Sequence, residues 1–70
     1  MDPTSMLILE NIAAVSFLNK SYAQAIEYAN RALKINGNSK KSLGVLADTY
    51  RTMGNAAEAS VWQQKYNGAR

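Results

Sequence analysis

Apolar and small residues return at helical spacing along nearly the whole chain. Between Ser21 and Asn38, Ala25, Ala29 and Ala32 recur every three or four positions, with Tyr22, Ile26, Leu33 and Ile35 beside them. Three alanines on one face leave little side-chain bulk, so a second helix can lie close and the larger neighbours fill the flanks. Upstream, Leu9, Ile12, Ala13 and Ser16 form a stripe, and Met6-Leu7-Ile8-Leu9 is apolar on every side, as in a helix end covered on two faces. Downstream, Leu43, Leu46, Ala47 and Tyr50 mark a third helix reaching about Met53, and a fourth runs from Asn55 to about Tyr66.

The breaks between these stretches carry recognisable end signals. Asp2 is placed to cap a helix whose first position is Pro3. Asn19-Lys20 interrupts the pattern, and Ser21 with Gln24 spells a capping box, as do Asn55 and Glu58. Gly37, within Asn36-Gly37-Asn38, suits the left-handed cap that ends the second helix, after which Asn38 or Ser39 starts the third. The tail at 67–70 is expected to fray. The predicted fold is all-α, with four helices at about 4–18, 21–35, 39–53 and 55–67, short connections forcing neighbours antiparallel.

Slid along itself, the chain matches at one shift, the one that lays the capping box at Ser21 on the capping box at Asn55. Leu9 then meets Leu43, Ile12 meets Leu46, Ala13 meets Ala47, Ala23 meets Ala57, Ala25 meets Ala59 and Tyr28 meets Trp62. A helix-turn-helix unit with this period, about 34 residues, resembles the tetratricopeptide repeat. The stretch Ser21–Asn38 is similar to the second helix of that repeat, and Asp2-Pro3 looks like the Asp-Pro closing a preceding one. The resemblance implies a single domain over 1–70 built of two repeats, about 6–39 and 40–70. Several positions depart from the family pattern. Leu9 and Leu43 replace an early aromatic, Ala13 and Ala47 a small glycine, Ser16 a tyrosine that survives as Tyr50, and Gly37 a proline. Gln63 and Tyr66 stand where an aromatic and a small residue are usual.

The ends of such a stack differ. Gln63, Gln64, Lys65 and Asn67 give the fourth helix the polar outer face of a terminal repeat, so Trp62 is expected to pack rather than bind. The first helix has no such face. The expectation is a C-terminal piece of a longer array whose bare side, marked by Met6, Leu7 and Ile8, drives self-association as a dimer, by direct contact or domain swapping.

Composition narrows the chemistry. A chain of 70 residues makes one small domain, and it has neither cysteine nor histidine to supply a disulfide, a thiolate metal site or a histidine base. Asp2, Glu10, Glu27, Asp48 and Glu58 are scattered, and the four glycines are read as isolated turn residues rather than a phosphate loop. No catalytic role, metal or cofactor is expected. No stretch approaches the roughly 18 apolar residues of a membrane span, and no signal peptide is visible, so no membrane insertion is expected. The lack of cysteine fits cytoplasm while leaving the compartment open. The net charge is +3, with Arg31, Lys34, Lys40 and Lys41 around the central turn. That cluster is a weak candidate for nucleic acid, because it lacks interleaved aromatics; helix-end cations explain part of it.

What remains is binding to a protein. In the family this chain resembles, first helices line a concave groove that takes a peptide. Carried over, the groove residues are Glu10, Asn11, Ala14 and Phe17 from the first unit and Lys41, Val45, Asp48, Arg51 and Thr52 from the second. The lysine and asparagine with which one subgroup clamps acidic chaperone tails are Glu10 and Ala14 here, so that clamp is absent, and Lys41 alone matches a later clamp lysine. The implied partner is held by an apolar anchor at Phe17 plus polar contacts. The alternative is a structural segment that assembles through its first helix.

Overall fold

The computed structural model describes residues 3–69 and comprises four helices, with no strand among those residues: α1 (Pro3–Leu18), α2 (Tyr22–Ile35), α3 (Lys40–Thr52) and α4 (Ala56–Gly68). α1 pairs with α2 and α3 with α4 as antiparallel hairpins, and α3 lies against both helices of the first hairpin. The result is a slab of 34 × 27 × 14 Å, the helical-repeat arrangement that the spacing predicts.

Small residues bring the helices together. Ala25, Ala29 and Ala32 are fully buried, and Ala13, Ala29 and Leu46 meet at the centre of the core. Ile26, Tyr28, Leu33, Val45, Tyr50 and Trp62 pack around that centre, each half-buried. The lean face of α2 is thus inward, with larger side chains closing its flanks. Trp62 packs as expected, although its indole N–H is buried without a partner.

α3 buries polar residues as well as Leu43, Leu46 and Ala47, because Ser42 and Thr49 are completely covered. Both are neutralised locally. The Thr49 hydroxyl donates to the Val45 carbonyl at 2.6 Å, and the Ser42 hydroxyl is hydrogen-bonded to Ser39 Oγ at 2.9 Å. A buried hydroxyl with a partner in its own helix or at that helix's cap avoids the cost of an unpaired polar group.

The turn inside each hairpin is the same construction. After α1, the Lys20 N–H donates to the Phe17 carbonyl at 3.0 Å and the Ser21 N–H to the Ser16 carbonyl at 2.8 Å. After α3, at the four positions that the internal match pairs with these, Gly54 donates to Arg51 at 3.1 Å and Asn55 to Tyr50 at 2.9 Å. Each is a Schellman closure with its left-handed residue at the expected place, Lys20 at φ 64° and Gly54 at φ 84°. Lysine in that conformation crowds its Cβ against the backbone, a strain glycine escapes.

Several local expectations are corrected. Ser21 stands before α2 but makes no side-chain cap bond, although its backbone (φ −88°, ψ 69°) is close to that of Asn55 (φ −93°, ψ 80°), which does cap α4. Asn55 accepts from the Glu58 N–H at 3.2 Å, whereas its own N–H is committed to Tyr50, so half of that capping box forms. Gly37 is not left-handed. Asn36 ends α2 in extended backbone, its side chain accepts from the Asn38 N–H at 3.0 Å, and Ser39 N–H donates to the Asn36 carbonyl. That side-chain turn performs the role assigned to glycine. Ser39 does cap α3.

Gly44 is not in a turn but within α3, and Gly68 is the last residue of α4. A Cβ on Gly44 would lie 3.2 Å from the Tyr66 ring, so its absence lets that ring settle on the helix. Asn67 and Gly68 do not fray but remain helical, with Gln63 Nε2 donating to Asn67 Oδ1 at 3.1 Å. Asp2, expected as the first cap, and Arg70 lie outside the described residues.

Candidate partner-binding surface

The surface expected to bind is formed where α1 and α3 run side by side. Glu10 and Asn11 project from α1 toward the start of α3. Ser39 Oγ donates to the Glu10 carboxylate, and the Ser39 and Ser42 hydroxyls lie 2.9 Å apart. Ser39 has a single proton, given to the carboxylate, so Ser42 is the donor between the two hydroxyls. Beside this link, Lys41 Nζ donates to Asn11 Oδ1 at 2.9 Å. These two links tie α1 to α3 on the expected face, and they bring Asn11 and Lys41 together.

Farther along α3, the charged residues form a second group. Arg51 donates to Asp48 at 2.8 Å and, through its other terminal nitrogen, to Gln63 Oε1 at 2.9 Å on α4. The Thr52 hydroxyl donates to the Asp48 carbonyl at 2.8 Å. The Asp48–Arg51 pair is solvent-exposed on both sides, so it contributes little stability and leaves both charges open to a ligand. Ala14 and Val45 are half-buried, and Val45 packs on the core. Phe17 is half-buried at the hairpin turn, 6.0 Å from the Tyr22 ring at a tilt of 49°.

Glu10, Asn11, Lys41 and Ala14 therefore belong to one neighbourhood and Asp48, Arg51 and Thr52 to another, with Val45 on the helix between them. Hollows occur at other seams. One of about 470 Å³ lies between α1 and α2, lined by Ile12, Val15, Ser16 and Gln24 among others. Another, of about 360 Å³, is lined by Leu33 and Lys34 of α2, Leu43 of α3, and Trp62 and Lys65 of α4. A smaller one reaches Asp48 from the α4 side beside Gly44 and Tyr66.

Three of the four basic residues around the central turn, Arg31, Lys40 and Lys41, have partners within the chain. Arg31 pairs with Glu27 at 2.5 Å and lies 4.9 Å from the centre of the Tyr28 ring. Lys40 sits 4.9 Å from the centre of the Tyr66 ring, Lys41 holds Asn11, and Lys34 is in the last turn of α2. They do not gather into one free cationic patch.

Met6, Leu7 and Ile8 do not share a side. Leu7 and Ile8 are exposed, and Met6 is half-buried. Val15 and Leu18, which the hydrophobic pattern alone does not single out, are exposed with them. The signal that finds Val15 is the internal match, which sets it against the buried Thr49.

Among the described residues, no helix is long and apolar enough to cross a membrane, and no three acidic, histidine or cysteine side chains gather as metal ligands. No protein-family model, curated protein or solved structure matches this chain at a significant level.

Proposed function

We propose that the chain is a two-unit, tetratricopeptide-like scaffold that holds a peptide segment of a partner protein along the α1–α3 surface, without catalysing a reaction. The units run over about 6–39 and 40–70. The observation that carries this reading is the pair of side-chain links from Glu10 and Asn11 to Ser39 and Lys41, which hold the two first helices side by side. The identical turns, recurring at the same shift as the sequence match, support the repeat assignment. On this surface, Phe17 and Val45 offer apolar contact, while Lys41, Asp48 and Arg51 present exposed charges of both signs. A mixed surface of this kind selects a partner by charge order around an apolar anchor. The lack of cysteine accords with a reducing compartment such as the cytoplasm.

The test is selection of binders from a displayed library of random peptides, followed by affinity measurement for the enriched sequence. Phe17→Ala and Arg51→Glu are each expected to weaken binding by about tenfold or more while the chain stays helical and melts cooperatively. Enriched peptides whose affinity ignores both substitutions would show that binding lies elsewhere.

A further inference from the structure

α2 and α4 each lie against α3 but not against one another, and the hollow of about 360 Å³ fills the gap between them. Leu33, Leu43 and Trp62 make its wall apolar, Asn30 adds an amide, and Lys34 and Lys65 bring two ammonium groups. No acidic residue lines it. Among the described residues, neither lysine has a carboxylate within ion-pairing distance.

The internal match shows what the second unit has lost. In the first unit, Arg31 lies over the Tyr28 ring and Glu27 neutralises it. At the matching positions, Lys65 lies over the Trp62 ring, 4.5 Å from its centre, but Val61 stands where the carboxylate would be. The cation on its ring is kept and the counter-ion is dropped. Lys34, facing the same hollow from α2, is without one as well.

Apolar carbon beside two unmatched ammonium groups suits an anion that carries its own hydrocarbon. A bare inorganic ion would leave Leu33, Leu43 and Trp62 uncovered, and a neutral hydrocarbon would leave the charges unanswered. The volume lies near the low end of small-molecule sites, which run from about 300 to 1,000 Å³, so the hydrocarbon is a short chain. We propose that this hollow binds a small aliphatic carboxylate, its chain on Leu33, Leu43 and Trp62 and its charge between Lys34 and Lys65. Both lysines are exposed, so each charge contact is modest, and the dissociation constant should be on the order of 1 mM. None of these residues belongs to the α1–α3 surface, and peptide capture there can succeed or fail independently.

Trp62 is the one tryptophan of the chain, so its fluorescence reports on the site. Titration of the full chain with hexanoate to about 20 mM, at constant ionic strength, should give a saturating change. Two-dimensional NMR should map the accompanying shifts to Leu33, Leu43 and Trp62. Acetate, which lacks the chain, and hexanol, which lacks the charge, should each bind at least about tenfold more weakly. Lys34→Gln and Lys65→Gln should each raise the dissociation constant about threefold or more, read by NMR because the second also alters the surroundings of the indole. Lys20→Gln, at an exposed lysine outside the hollow, should leave it unaltered. Absence of saturation, equal binding of hexanol, or constants indifferent to both Lys34→Gln and Lys65→Gln overturns the proposal. An acetylated glycyl-glycyl-leucine tripeptide that binds more tightly than hexanoate overturns it too, and gives the hollow to the end of a peptide.

Discussion

The two hairpins share a period and a turn, yet they bury different things. In the first, α2 is enclosed between α1 and α3 and hides three alanines. Their counterparts on α4 are Ala59, Gln63 and Tyr66, of which Ala59 alone is buried. Among the first-position helices the inequality is reversed. α3, seated on the first hairpin, buries five residues, whereas α1 leaves Leu7, Ile8, Val15 and Leu18 in solvent. An element in this stack is buried according to how much of its surface the neighbouring helices cover, and its sequence adapts to that cover. Alanine appears where a helix is pressed from two sides, glutamine where one side is open.

Equivalent positions can be set against each other experimentally. The largest effect is expected at Leu46, fully buried at the centre, where Leu46→Ala should cost about 2–5 kcal/mol and unfold much of so small a domain. Ile12→Ala, its half-buried counterpart in α1, should cost less, about 1–2 kcal/mol, by chemical denaturation of dilute protein. Equal losses would mean that α1 is as enclosed as α3. Next, Ala29→Leu should overpack the contact among Ala13, Ala29 and Leu46 by about 1–3 kcal/mol. Gln63→Leu, at the matching position on α4, should stay within about 0.5 kcal/mol, because the hydrogen bonds it gives up, with Arg51 and Asn67, are exposed. The smallest effects concern the turns. Gly54→Ala should destabilise by about 1 kcal/mol, and Lys20→Gly should stabilise by a similar amount. Thermal melts that leave both variants unchanged would remove strain from the account of the turns.

Much of this was legible because it is local. Three alanines at helical spacing define a face whatever lies against it, and Ser39 caps α3 from its own position in the chain. The departures came from distant or competing partners. Gly44 looks like punctuation until Tyr66, on the next helix, is found over it. Gly37 looked like a left-handed cap, but the neighbouring Asn36 side chain closed that turn first. Lys20 took the left-handed role without being glycine, and nothing in its type announces that. The candidate surface shows the same division. The family resemblance placed Asn11 and Lys41 on a shared face, but it could not foresee that the Glu10 carboxylate is taken by Ser39, or that Arg51 reaches across to Gln63.

The paired turns have one more implication. Both are closed by main-chain donors and acceptors, so the splay of each hairpin is written in the backbone rather than in any outward side chain. The exterior of the slab can consequently be repainted, charge by charge, while the hinges hold their angle, and a new recognition preference need not be accompanied by a new shape.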